Sequence, residues 1–164
     1  LVFSTLHTND AAGTIPRLID LGVRPAIIAP AINVAMAQRL VRRLCPACRV
    51  PTTKTSPAYA AIKAELALLP PGVPAPDEAQ WTIFDAHKKG CPACGEIGYK
   101  GRIGVYEIIL INDALEQLIL QSAPELDIKK AAVAQGQITM RQDSLLKIIA
   151  GVTDLTEVER TVGQ

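Results

Sequence analysis

All four cysteines of the chain fall into two identical Cys-Pro-Ala-Cys pairs, Cys45-Pro46-Ala47-Cys48 and Cys91-Pro92-Ala93-Cys94. A two-residue spacer lets both sulfurs of a pair face one ion at about 2.3 Å, and the proline with its small neighbour favours the tight turn this requires. Each pair supplies half of a tetrahedron, and four thiolates suit zinc. Such a site is closed, with no position for an activated water, so the metal reads as structural rather than catalytic. Three other readings compete: two disulfides, a thioredoxin-like redox pair, and buried cysteines with no shared role. Disulfides inside Cys-x-x-Cys close very small loops and stabilise little, and a redox motif is expected once, beside a βαβ pattern. Neither accounts for the duplication. Between Cys48 and Cys91 lie 42 residues, against roughly 15 to 20 in a compact ribbon, so this stretch must form a substructure of its own. Structural zinc can contribute on the order of 10 kcal/mol to folding, enough to decide whether residues 45–110 fold.

Two histidines and several arginines complete the chemically capable residues. His7 stands at the polar end of the opening apolar run, in Ser4-Thr5-Leu6-His7-Thr8-Asn9-Asp10, and its ordinary pKa range allows a hydrogen-bonding or a charged role. On residue pattern alone, a histidine that satisfies a turn fits as well. His87 has no comparable neighbourhood and reads as part of a solvated loop, since four cysteines leave a metal no vacancy. Arg17, Arg39, Arg42, Arg102 and Arg141 carry the planar fork of donors that suits phosphate, although solvated faces and local carboxylate pairs fit each of them equally. The phosphate-binding string Gly-x-x-x-x-Gly-Lys-Ser/Thr does not occur. Its nearest approach, Gly90 to Glu96, puts an acid where the lysine belongs and thiolates inside the loop, which would repel phosphate.

Composition excludes some classes. With 17 basic and 16 acidic side chains, a net charge of +1, and only Trp81, three Tyr and two Phe, the chain offers neither a basic stripe nor a stacking platform for nucleic acid. The longest apolar stretch, Val23 to Val41, is broken by Arg24, Pro25, Pro30, Asn33, Gln38 and Arg39, whereas a membrane-spanning helix needs about 20 apolar residues in a row. A hydrophobic fraction of 49% in 164 residues is enough for one or two small cores.

The elements that must position these groups follow from punctuation. Leu1 to Leu6 reads as a strand already under way, without an initiator Met, so the chain reads as part of a longer product. A helix is expected from Asp10 or Thr14 to Leu21, ending at Gly22, with Pro16 in its first turn. Pro25 and Pro30 each suit the start of a helical segment, and Ile32, Met36, Leu40 and Leu44 recur at helical spacing up to the first cysteine pair. Ser56 to Leu69 reads as a helical arm, ended by Pro70-Pro71-Gly72-Val73-Pro74. Short strands are expected at 81–84 and 103–111. Beyond them, Asn112, Ser122 with Glu125, Thr139 with Gln142, and Asp154 with Glu157 have helix-capping spacings, while Gly136 and Gly151 stand at stops, giving a closing cluster of helices.

Several ordered strings carry a resemblance. Phe3-Ser-Thr-Leu-His-Thr-Asn-Asp-Ala11, Arg17-Leu-Ile-Asp-Leu-Gly22, Ala37 through Cys48, Cys91 through Glu107, Met140-Arg141, and Gly151 through Arg160 together resemble the carboxy-terminal part of the type II secretion and type IV pilus assembly ATPases, from the His box onward. Residues 50–80 carry no family pattern. The resemblance implies an α/β, mainly helical chain in three segments. Residues 1–44 would be the distal part of a RecA-like P-loop NTPase core, 45–110 a tetracysteine zinc subdomain with a helical insertion, and 111–164 a helical subdomain. It implies a parent motor that forms a homo-hexamer, uses ATP and Mg²⁺, and builds a pseudopilus or pilus. That motor would be cytoplasmic and peripheral at the inner membrane, through a platform protein and membrane-anchoring assembly components. His7 would stand near the γ-phosphate and report nucleotide state, and Arg102 would lie at a subunit interface. The phosphate-binding loop and acidic boxes would precede Leu1, so these 164 residues are not expected to hydrolyse ATP alone. A zinc-dependent protein docking module is the alternative.

Overall fold

A computed structural model describes residues 1–74 and 76–163. Among them are seven α-helices and four strands, a mixed α/β chain. It divides into two compact units, each built from two stretches of sequence: residues 1–38 with 106–138, and residues 39–105 with 139–164. One two-stranded ribbon, β1 (Val34–Leu44) with β4 (Tyr99–Leu110), contributes a portion to each unit.

In the first unit, α1 (Thr14–Asp20) follows the His7 segment, α2 (Pro25–Ala31) packs on α4 (Asp113–Leu120), and α4 packs on α5 (Glu125–Ala134). α1 ends as its sequence dictates, with Leu21 as C-cap and Gly22 at φ 86°, the left-handed conformation that glycine adopts without a Cβ clash. Pro25 occupies the first turn of α2, where its missing N–H costs nothing. Asn112 caps α4 by accepting the Leu115 N–H at 3.0 Å. The core of this unit includes Ile15, Ile28, Ile109, Leu115, Ile119 and Ile128.

The second unit holds β2 (Val50–Pro51), α3 (Pro57–Leu66), β3 (Phe84–Asp85), α6 (Met140–Ile149) and α7 (Leu155–Val162). β2 and β3 pair antiparallel, with Val50 opposite Asp85 and Pro51 opposite Phe84. Its core is Tyr59, Ile62 and Leu66 of α3, Ile83, then Leu145, Ile148 and Ile149 of α6, and Val158 of α7. Thr139 and Gln142 form a full capping box at α6, and Asp154 caps α7 by accepting the Glu157 N–H at 2.9 Å.

Several expectations are corrected. Leu1 to Leu6 is not a strand: no described strand pairs with it, and Leu1, Val2 and Phe3 stand exposed, so it has no ladder to complete. Residues 34–44 are strand, not helix. A spacing of four is also a multiple of two, and the residues that face inward are Ala35, Ala37, Val41 and Leu44, while Met36 and Leu40 face out. Pro30 lies inside the last turn of α2 instead of opening a second segment. Ser122 is not a cap: it sits at φ 52° in the turn between α4 and α5, and Pro124 is the N-cap of α5. The insertion helix α3 is not an arm either, because its buried face completes the second unit's core.

Candidate metal centre

The second unit brings the two cysteine pairs together. The first pair begins where β1 ends, with the Cys45 N–H donating to the Gly98 carbonyl at 2.9 Å. The Cys45 carbonyl then turns the chain by accepting from the N–H groups of Cys48 (3.3 Å) and Arg49 (3.0 Å). In the second pair the Cys91 carbonyl accepts from Cys94 (3.0 Å) and Glu96 (3.0 Å), and Gly95 takes φ 63° at the end of the turn. The Cys94 sulfur accepts from the backbone N–H of Cys91 and of Gly98, each at 3.2 Å. Gly98 thus serves both pairs, its carbonyl on the first and its N–H on the second.

The four sulfurs all lie within 4.8 Å of one another. Cys45 and Cys91 are 3.9 Å apart, Cys48 and Cys94 4.0 Å, and Cys91 and Cys94 3.8 Å. Ligands on a tetrahedron of about 2.3 Å radius stand about 3.8 Å apart, so the spacing fits a tetrathiolate ion. A disulfide would need about 2.0 Å, and all four cysteines are free. Electrostatics divide the thiols. Burial pushes Cys94 upward, but backbone N–H donors led by Cys91 and Gly98 outweigh it and bring its pKa to about 6. Burial, then hydrogen bonding with Cys91, Cys45 and Cys94, pushes Cys48 up to about 12. Crowded sulfurs cannot all carry negative charge unless a cation sits among them.

Comparison with known proteins places the chain. Residues 1–160 match the family model described as type II/IV secretion system protein. The chain belongs to this family. It is similar to the type IV pilus assembly ATPase PilB of Myxococcus xanthus, 39% identical over 96% of this chain and 26% of that protein. It is also similar to the type II secretion system protein E of Pseudomonas aeruginosa, 40% identical over 98% of this chain and 29% of that protein. The type II secretion system ATPase E of Vibrio cholerae is 38% identical over 98% of this chain and 29% of its own length. The chain therefore spans between a quarter and a third of these relatives.

Within this secretion-family chain, the other predicted residues take different positions. His7 is exposed, in the segment before α1. His87 is exposed in the loop before Gly90. Arg17, Arg39 and Arg102 are exposed on α1, β1 and β4, while Arg141 pairs with Glu65 at 2.6 Å and Glu159 at 2.8 Å. No helix of the described residues is long and apolar enough to cross a membrane.

Two buried carboxylates were missed by reading the sequence. Glu157, fully buried on α7, accepts from the Arg42 N–H at 2.9 Å and from the Arg42 and Arg160 guanidinium groups at 2.6 to 2.9 Å. Arg42 also lies 4.0 Å over the Tyr99 ring, whose hydroxyl donates to Asp154 at 2.8 Å. Burial first, then the neighbouring Asp154 carboxylate, holds the Tyr99 phenol well above its usual range. Glu107, on β4 of the first unit, accepts the Ala11 N–H at 3.0 Å. A signal for Glu107 was present: Val105, Glu107 and Ile109 share the buried parity of the strand.

Proposed function

We propose that the chain is the distal part of a hexameric, ATP-hydrolysing motor that powers assembly of a type II secretion pseudopilus or a type IV pilus. The observation that carries the proposal is the family match over nearly the whole chain, with relatives named pilus assembly and secretion ATPases. In this reading residues 1–44 are the distal part of a RecA-like P-loop NTPase core, ATP and Mg²⁺ bind through a phosphate loop and acidic residues outside these 164 positions, and His7 senses the γ-phosphate. Arg102, exposed on β4, meets a neighbouring subunit. Cys45, Cys48, Cys91 and Cys94 hold one zinc ion, which as a closed tetrathiolate supplies a cross-link and no reaction chemistry. The exposed knuckle residues Pro46, Ala47, Pro92, Ala93 and Ile97 offer a small apolar surface to the inner-membrane platform protein, keeping the motor cytoplasmic and peripheral.

The test has two arms. Metal content of protein purified without a metal-affinity column, with thermal melts before and after a strong chelator, should show one zinc per chain and a lowered transition; four free thiols and an unchanged melt would remove the metal. ATP hydrolysis should be present in the full-length hexamer, sharply lowered but still measurable in its His7→Ala variant, and absent from residues 1–164 alone. Hydrolysis by the isolated 164 residues would overturn the placement of the nucleotide site.

A further inference from the structure

We infer that Glu107 and Lys129 are positioning residues for His7: between them they fix the turn that joins the His7 segment to α1. The inference rests on the proposed motor activity and assigns two residues that this reading does not use.

The turn has few internal supports. The Thr8 hydroxyl donates to the Asp10 carbonyl at 3.0 Å, and the Gly13 N–H donates to Asp10 Oδ1 at 2.9 Å. Gly13, the N-cap of α1, has no side chain with which to cap, so Asp10 stands in for it. The Ala11 and Ala12 carbonyls also accept the Thr14 and Ile15 N–H groups at 3.3 and 3.2 Å, and two further supports come from distant parts of the sequence. Ala11 is fully buried, and its N–H lies before the helix, where no helical carbonyl is available to it. Glu107 Oε1 meets that N–H at 3.0 Å, from a strand position whose neighbours of the same parity, Val105 and Ile109, are buried and apolar. A carboxylate there is costly unless it is used. From α5, Lys129 reaches Asp10 Oδ2 at 2.8 Å, and Glu125 one turn earlier holds the same ammonium at 2.6 Å. Asp10 first and Glu125 second hold the lysine well above its ordinary pKa, so it stays charged.

Two consecutive residues, Asp10 and Ala11, are thus clamped from β4 and from α5. His7 is three residues from Asp10 and four from Ala11, a span of at most about 14 Å of extended chain, and is exposed. With the turn fixed, the imidazole has a defined origin from which to meet a phosphate. With it loose, His7 keeps its chemistry and loses its place, and a misplacement of about 1 Å can cost about a hundredfold in rate.

The experiment uses the full-length hexamer with Lys129→Met, Glu107→Ala, and the conservative Lys129→Arg and Glu107→Gln, each with and without His7→Ala. Both clamp-breaking variants should lower kcat by about tenfold or more with KM for ATP little changed, because the phosphate-binding groups lie elsewhere. The conservative variants should restore most of the rate. In the His7→Ala background the clamp variants should change nothing further. Hydrogen exchange over residues 8–12 should quicken in Lys129→Met while melting temperature and hexamer mass hold. Wild-type kcat in both clamp-breaking variants overturns the inference, as does an equal loss with and without His7. A wild-type hexamer that does not hydrolyse ATP overturns the motor reading and the inference with it, and the two failures are told apart by the wild-type rate alone.

Discussion

Glu157→Gln keeps the shape of a fully buried side chain and removes its charge, and the surroundings set what that should cost. The carboxylate receives five donor contacts: one from the Arg42 backbone, two from the Arg42 guanidinium and two from the Arg160 guanidinium. Glutamine offers one oxygen and turns an NH₂ toward donors. Removing one partner of a buried ion pair costs about 3–5 kcal/mol. Here the arginines are 37% and 59% exposed, so water recovers part of their hydration, and about 2–3 kcal/mol is expected. For a chain of this size that is a drop of about 4–12 °C in melting temperature. Trp81 is the single tryptophan and packs against the second unit's core, with its ring 5.5 Å from that of Tyr59. Its fluorescence in urea therefore reports the unfolding of this unit.

The pH dependence gives a second check on the same residue. Burial raises the Glu157 pKa, but hydrogen bonds from Arg160 and Arg42 outweigh it and hold the group at about 2. A folded pKa below the unfolded value near 4.5 means stability that is fully present above about 4.5 and is lost as pH falls toward about 2. The gap between wild type and Glu157→Gln should be full at about pH 6 and shrink below about 4.5. Glu159→Gln, with a side chain 51% exposed, should cost less than about 1 kcal/mol. A Glu157→Gln loss no larger than that control, or a gap that ignores pH, would refute the argument that this carboxylate is ionised and stabilising in the core.

Other perturbations test the frame around the sulfurs. Gly98 sits at φ 77°, and a Cβ there would meet the His87 carbonyl oxygen at 2.8 Å. Gly98→Ala should displace the N–H that serves Cys94 and weaken the proposed zinc binding about 10- to 100-fold, measured by competition with a chromophoric chelator. Ile62→Ala, at a position 1% exposed, should cost about 2–5 kcal/mol by Trp81 fluorescence. A loss well under about 1 kcal/mol would return α3 to the status of an appended arm.

What the sequence disclosed and what it hid have physical causes. The caps Asn112, Thr139 and Asp154 were legible because each acts within one turn of its own residue. The sulfur cluster was legible because repetition of Cys-Pro-Ala-Cys makes the partners unambiguous at any separation. β1 was not, since Ile32, Met36, Leu40 and Leu44 satisfy both periods, and its strand state depends on pairing with β4, some 60 residues later. Ser122 with Glu125 matched a cap spacing, but Pro124 intervenes and takes the N-cap position. Glu107 and Glu157 were hidden for a related reason: their value lies in Ala11, Arg42 and Arg160, and for Ala11 and Arg42 no local pattern records who the partner is.

The long separation of the cysteine pairs changes what a metal at the proposed site would do. In a compact zinc finger the ion replaces a core. Here a core of Tyr59, Ile62, Leu66, Leu145, Ile148, Ile149 and Val158 draws on α3, α6 and α7 without the sulfurs. An ion held by the four sulfurs would instead close the 42-residue connection between Cys48 and Cys91, a constraint worth about 4 kcal/mol of loop entropy by analogy with a disulfide. Other ties already close parts of the same region, namely β2 on β3 and the Thr82 N–H on the Ile149 carbonyl at 2.8 Å. Metal removal should therefore lower the second unit's transition and leave it cooperative. Far-ultraviolet circular dichroism during a chelator-treated melt decides this. A surviving sigmoid at lower temperature fits an ion that staples an existing core, and helical signal lost at once on chelation would show that the core cannot stand without the staple.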